Sequence, residues 1–446
     1  MNIVIIVSGT FGDIVPHVAL AKGLKAAGHD VTLAGGKNFK EFVEGHGITF
    51  FGTSSDYETV MKSEKGREIL RKKGDITPRR MRSHILPPKF NEFVDAWIVS
   101  QWADLIIGHH MIVGLLDIAQ ALDVPLILST VMPILTPTHE FPSVPMRPAL
   151  FGRLYNRLSH ALYRFMQVST FEQRINHWRR QVLCLPPRPL FREIFTREFH
   201  DLNGRVIPIL YHYSPTVLPR PGDWPDSSYI SGRLILKDAE PWEPPIDLLE
   251  FLEVGPPPLY IGFGSMTLWD PEHVMDMICE ALSITGLRAI IAKGWGGINL
   301  ENNDNLYCLS YAPHEWLFTK VCAVIHHGGS GTTDAGLRAG LPTMVCPFFM
   351  DQPFWAERVK SLGVGPRPVP QEKLTVSSLV KGMRELTENK DMIKKAQALG
   401  ETMKNEPDGV RLAVEWIEKQ YPVGHSRQAK VLNDTIRIES QRDSVS

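Results

Sequence analysis

No apolar run in this 446-residue sequence approaches the roughly 18 residues that a membrane-spanning helix needs, so no span is expected. Cysteine is scarce: Cys184, Cys279, Cys308, Cys322 and Cys346 are scattered, and none forms a CxxC pair. An odd, dispersed set argues against a disulfide framework and for reduced thiols in a cytoplasmic setting. Neither charge is in excess, since 48 Lys and Arg face 49 Asp and Glu. A balanced surface offers nucleic acid no basic field, so no such partner is expected. The sequence has no Asp-x-Asp triplet, the usual carboxylate platform for Mg2+ or Mn2+. No metal and no bound cofactor are therefore expected. It also lacks a repeat at a solenoid period. The opening "MNIVIIVSGT" does not read as a secretory leader, because the apolar run is short, has no basic lead and meets Gly9 at once.

What the sequence does contain is alternation. "NIVIIV" is a β-branched run ending in "SGTFGD", which fits a buried parallel strand entering a turn. Val18, Ala21, Leu24 and Ala27 follow at helical spacing, and Gly28 stands where a helix stops. "DVTLAGG", "ADLIIGHH", a helix near 113–122 and "PLILST" continue the pattern. Strand–helix repetition of this kind predicts a doubly wound α/β domain. From about 132 to 200 the pattern changes to a Pro-rich stretch and then one long helical run. This reads as an insertion facing a cleft. Residues 236–258 hold six prolines and form the expected linker, with a short helix at "IDLLEFLE". Alternation then restarts in "PLYIGFGSM", "LRAIIAKG", "LYCLSYAP", "CAVIHHGG" and "PTMVCPFF". The expected division is therefore 1–235, a linker at 236–258, and a second α/β half at 259–421. The polar, aperiodic 422–446 is expected to be disordered.

The polar residues fall at strand ends. "VIHHGGSGTTDAGLRAG" reads as strand, turn and short helix. Backbone N–H groups and the hydroxyls of Ser330, Thr332 and Thr333 thus gather at a helix N-terminus, which suits phosphate. The same run can also be an ordinary Gly-rich turn with packed histidines. Asp351 and Gln352 precede another helix, where Asp351 can cap and where the pair can also take sugar hydroxyls. "SGTFGD", "GFGSM" and "YAPHEW" end other strands and would line the same cleft.

These residues resemble a known family. "APHEWLF…CAVIHHGGSGTTDAGLRAGLPTMVCPFFMDQPFWAERV" is similar to the nucleotide-sugar signature of inverting GT-B glycosyltransferases of family 1, and most like the sterol 3β-glucosyltransferases. "GTFGDIVPHVALAKGLKAAGH" and "PLYIGFGSM" also fit. The resemblance spans roughly 1–420, is most specific in 311–366 and is weaker in the insertion. It implies two Rossmann-like domains facing a central cleft. It also implies that His327, Gly329, Ser330, Gly331 and Thr332 hold the donor diphosphate, with Gly264 and Ser265 closing over it. Tyr311, Ala312, Pro313 and Trp316 occupy the base-binding segment, and Asp351 with Gln352 would take the sugar. The sequence departs from the pattern at three places. The sterol-type first loop is usually G-S-R-G-D, and here Ser8-Gly9-Thr10-Phe11-Gly12-Asp13 has no Arg. A related plant box has Trp at Tyr311 and an acid at Ala335.

The implied reaction moves a hexose, in this family from UDP-glucose as co-substrate, to an acceptor hydroxyl with inversion. It needs a base and positive partners for the departing diphosphate. Asp13 is the candidate base, although it can equally cap the helix that follows. His17 is a second candidate that can equally face solvent. His109 and His110 can orient an acceptor or simply pack. In the insertion, Phe141, Pro142, Phe151, Tyr155, Leu162, Tyr163, Phe165 and Met166 can form core, but together they favour a hydrophobic hydroxylated acceptor. A sterol fits, as does another terpenoid or a polyketide. Any membrane contact is expected to be peripheral. A sugar-nucleotide 2-epimerase and a non-catalytic carrier of hydrophobic ligands are the rival readings.

Overall fold

The computed structural model describes residues 1–54, 92–112, 114–146, 152–188, 194–201, 204–237, 242–264, 270–294 and 301–422. Phe151, Ser265, residues 238–241 of the linker and the tail from 423 lie outside the described residues.

The first lobe carries β1 (Asn2–Ile6), α1 (Phe11–Ala26), β2 (Asp30–Gly36), α2 (Lys40–Gly45), β3 (Thr49–Thr53), α3 (Glu92–Val99), β4 (Leu105–His109), α4 (Leu115–Leu122) and β5 (Leu126–Thr130). A 30-residue helix α5 (Gly152–Gln181) is the main element of the insertion. A small antiparallel pair, β6 (Phe199–His200) and β7 (Val206–Ile207), precedes β8 (Ile209–Tyr211) and β9 (Ser228–Ile230). The parallel seven-stranded sheet has the order β3-β2-β1-β4-β5-β8-β9. Both faces of this sheet are covered, so its strands must be apolar throughout. Ile3 and Ile5 pack with Leu20 and Leu24 of α1, whereas Val4 and Ile6 pack with Leu115 and Ile118 of α4. Each such buried side chain stabilises the fold by ~1.5–3 kcal/mol.

The second lobe follows with α6 (Ile246–Glu253), β10 (Leu259–Gly262), α7 (Pro271–Thr285), β11 (Ala289–Ala292), β12 (Leu306–Leu309), α8 (His314–Leu317), β13 (Ala323–His326), α9 (Ser330–Arg338), β14 (Thr343–Val345), α10 (Gln352–Ser361), α11 (Val376–Glu388) and α12 (Lys390–Lys404). Its five parallel strands run β12-β11-β10-β13-β14. The chain then returns. Helix α13 (Gly409–Gln420), assigned by sequence order to the second half, packs Ala413, Trp416 and Ile417 into the first lobe's core. Trp416 stacks on Tyr229 at 5.1 Å.

Strand order reverses between β1 and β4 in the first sheet and between β10 and β13 in the second. The loops that leave such neighbours diverge to opposite faces and open a crevice at the strands' carboxyl ends. "SGTFGD" and "HH" leave the first switch point, and "FG" and "HGGSG" leave the second. Every strand quoted from the sequence is present, and so is the long helix. Among the described residues no helix is long and apolar enough to cross a membrane.

Candidate active site

Asp13 is placed by the start of α1. The helix begins at Phe11, one turn earlier than the apolar spacing suggests, and Thr10 is its N-cap. Asp13 is therefore not the cap. It is the third helical residue, and its Oδ2 accepts the Thr10 N–H at 2.8 Å as half of a capping box. Burial raises its pKa to about 6, with the Thr10 N–H partly opposing. His109, at the end of β4, brings Nε2 to 3.4 Å from Asp13 Oδ1. His109 is fully buried, and burial lowers its pKa to about 4, so the ring is neutral at pH 7. It thus stands behind the carboxylate rather than on the surface of an acceptor pocket. His110 packs beside it, ring centroids 4.4 Å apart.

His17 does not face solvent. It is fully buried, with Nδ1 2.6 Å from the Asp13 carbonyl and Nε2 2.9 Å from Ser129 Oγ. Burial lowers its pKa to about 4. His109 and His212 meet its ring edge-on at 5.8 and 5.1 Å, so the ends of β4, β5 and β8 enclose it.

Across the crevice, β13 ends in His326 and His327, and α9 starts at Ser330. Gly329 is the N-cap and has no side chain to satisfy the first N–H groups, so those of Ser330, Gly331 and Thr332 have no intrahelical acceptor. The His327 ring is held between two glycines. A Cβ on Gly264 would lie 2.8 Å from His327 Cε1, and one on Gly329 would lie 2.5 Å from Nε2. Burial lowers the His327 pKa to about 4. Ser330 Oγ reaches the Val131 carbonyl of the first lobe at 3.4 Å, so this turn closes on the opposite lobe.

Asp351 occupies the N-cap position of α10, but its side chain does not cap. Its Oδ2 accepts the indole N–H of Trp355 at 2.9 Å, one turn further on. Met350, just before it, is held at φ +58°, a left-handed conformation that costs a non-glycine residue about 1–2 kcal/mol. Burial, and then the charge of Asp13, raise the Asp351 pKa to about 7. The two carboxylates, one from each lobe, thus share a single electrostatic environment. Gln352 is buried, and its Oε1 accepts the Phe348 N–H at 2.8 Å, fixing the loop that carries Asp351.

The remaining candidates are more dispersed. Tyr311 is exposed just past β12, Ala312 is buried, Pro313 occupies the N-cap position of α8, and Trp316 meets Trp242 edge-on at 5.0 Å. Phe141 is wedged against Phe354 of the second lobe at 5.4 Å. Tyr155 is half-buried on α5. Of the other apolar candidates, Tyr163 is core, whereas Leu162 and Phe165 are exposed. Among the described residues no cluster of three His, Cys, Asp or Glu side chains is arranged to hold a metal ion.

One residue went unnoticed in the sequence. Arg233 follows β9 and carries a guanidinium to the α9 turn, near Asp13 and Asp334. Its signal was a single charge inside the otherwise uncharged "ISGRLIL".

Comparison with known proteins bears on this geometry. Residues 3–129 match the glycosyltransferase family 28 N-terminal domain, and residues 299–418 match the erythromycin biosynthesis protein CIII-like C-terminal domain. Two sterol 3-beta-glucosyltransferases of Arabidopsis thaliana are 39% and 35% identical over 95% of this chain. A third, from Komagataella phaffii, is 33% identical over 99% of it. The chain spans 66% and 68% of the length of the plant relatives and 36% of that of the yeast one. Among solved structures, the glycotransferase of kitacinnamycin superposes with a TM-score of 0.64 at 17% identity, covering 94% of this chain and 99% of that one. The glycosyltransferase VinC, solved with DTDP, gives 0.60 at 16% identity, with 94% and 99% covered. These likenesses establish the GT-B fold, two Rossmann-like domains around a cleft.

Proposed function

The chain belongs to the glycosyltransferase family that contains the sterol 3-beta-glucosyltransferases, and from that premise we propose that it transfers glucose from UDP-glucose to the hydroxyl of a sterol, with inversion at the anomeric carbon. The observation that carries this reading is the opposition of Asp13, at the first sheet's switch point, to the α9 N-terminus and Asp351 at the second. The sugar would sit between them. A carboxylate whose pKa is raised to about 6 is still mostly ionised at pH 7, yet more basic than an ordinary aspartate. It takes the proton of the acceptor hydroxyl as that oxygen bonds to C1. The bond from C1 to the diphosphate oxygen breaks, and the departing anion meets the N–H groups of Ser330, Gly331 and Thr332 and the His327 ring. The Thr10 N–H fixes the carboxylate's direction, with the neutral, buried His109 packed beside it. Asp351 and Gln352 would take the donor sugar's hydroxyls, and Tyr311 to Trp316 would hold its base. The sterol proposal rests on the plant and yeast relatives, and the nucleotide proposal is in keeping with the DTDP bound to VinC.

We propose further that the reaction needs no metal, because the positive end of the α9 dipole and its oriented N–H groups stabilise the charge at the leaving group. The test is incubation of the protein with UDP-glucose and a panel of sterols, triterpenes and polyketides, with and without EDTA, products being read by mass. A hexose added to a sterol, undiminished by EDTA, is the expected result. A rearranged sugar without acceptor would indicate an epimerase, and no turnover with any acceptor a carrier. Activity that EDTA abolishes and Mg2+ restores would overturn the metal-free reading.

A further inference from the structure

Arg233 stands in an electrostatically awkward place. Its guanidinium lies against the second residue of α9, where a Cβ on Gly331 would be only 3.0 Å from Nη2. A cation there faces the positive end of a helix dipole and three backbone N–H groups that no side chain caps. Its Nη1 is shut off from solvent and has no hydrogen-bond partner. The nearby carboxylates do not resolve this. Asp334 Oδ2 is engaged by Arg338 at 3.4 Å and Asp13 Oδ2 by the Thr10 N–H, and although the buried Asp334 Oδ1 has no hydrogen-bond partner, neither carboxylate forms an ion pair with Arg233. Asp13, Asp334 and Glu315 act on Arg233 only through their fields, and Arg338 opposes them. The His327 ring lies in the same turn, held between Gly264 and Gly329. Donors and positive charge thus converge on the α9 N-terminus, where no carboxylate bonds to the α9 N–H groups or pairs with Arg233, and that arrangement suits an anion.

The first loop cannot supply this cation. Phe11 turns its ring away onto Phe39 and Phe42, at 5.6 and 4.8 Å. Arg233 instead arrives from the segment joining the two lobes, beside Gly232 and the start of α13. That backbone is tightly fixed, since a Cβ on Gly409 would lie 2.3 Å from the Arg233 carbonyl oxygen.

We propose that Arg233 binds the donor's diphosphate, pairing with its oxygens at the α9 N-terminus and holding the nucleoside diphosphate as it leaves C1. The proposal rests on the donor site described above and adds its principal cation. A guanidinium suits the task because its planar fork can hold two phosphate oxygens at once. Arg233 also follows the last strand of the first lobe while touching a helix of the second. The diphosphate it binds would therefore tie the lobes together at the moment of transfer.

The experiment is calorimetric titration of UDP and of uridine into wild type, Arg233→Ala, Arg233→Gln and Arg233→Lys, with the melting temperature of each ligand-free protein. Loss of a charged hydrogen-bonding partner should weaken UDP by about 10- to 100-fold in Arg233→Ala and Arg233→Gln, and by less in Arg233→Lys. Uridine affinity should not change, so the preference for UDP over uridine shrinks by the same factor. The ligand-free melting temperature should hold or rise, because an unpaired buried charge has been removed. UDP bound as tightly by the Gln variant as by wild type would overturn the role of Arg233 while leaving the donor site standing. UDP failing to bind wild type would overturn both. A Gln variant that melts lower and loses UDP and uridine in equal measure would show a structural residue and overturn the proposal.

Discussion

Gly9 shows how tightly the proposed base is held. It adopts φ +142°, and a methyl group there would meet Asp13 Oδ2 at 2.1 Å. The carboxylate is kept where it is poorly hydrated, and this has a consequence for stability. Its folded pKa of about 6 lies above the ordinary 3.8, so folding favours the protonated form. That stabilisation is complete below about pH 4 and is lost as the pH rises through 6, leaving a cost of roughly 3 kcal/mol at neutral pH. Asp13→Asn should therefore melt several degrees higher than wild type at pH 7.5, with the difference shrinking toward pH 4. Thermal unfolding across that range checks it, and a variant less stable than wild type at every pH would contradict the burial argument. The same protonation should cut kcat/KM as the pH falls through about 6.

At the scale of elements, the sequence made the strands and helices legible because each is a local pattern. Short β-branched runs and 3.6-residue spacing need no knowledge of distant partners. What was not legible depended on neighbours. Asp13 looked like a cap because the apolar spacing starts at Ile14, but Thr10 had already taken that position. Asp351 looked like a cap until Trp355, one turn along, claimed its carboxylate. His17 looked as if it might reach solvent because the groups that enclose it, His109, Ser129 and His212, come from strand ends far along the chain. Two predictions belong here. His327→Ala removes the ring held between Gly264 and Gly329, and it should weaken UDP by about 10- to 100-fold, as measured by calorimetry. Asp117→Ala should destabilise the protein by about 3–5 kcal/mol, measured by urea unfolding. It leaves Arg179, which joins α5 to α4 from a fully buried position, and the nearby Arg188 without their shared carboxylate.

Across the whole molecule, the lobes are joined at more than the linker. Glu406 accepts Ser214 Oγ–H and the Thr216 N–H from the first lobe, and Arg338 of α9 holds its other oxygen at 2.8 Å. Tyr213 meets Trp355 at 5.9 Å across the same boundary. Glu406→Ala should lower stability by about 1–3 kcal/mol and, because α9 loses its tie to the first lobe, raise KM for the donor more than it lowers kcat. Steady-state kinetics with varied UDP-glucose separates the two effects.

In the proposed mechanism the cleft divides the chemistry between its lobes, with the proton taken on one side and the diphosphate held on the other. The direct test is Asp13→Asn assayed for sterol glucosylation and, in the same preparation, for UDP affinity. Turnover should fall by about 100-fold or more while UDP binds as it does to wild type. Near-normal turnover in a variant that still binds UDP would contradict the division.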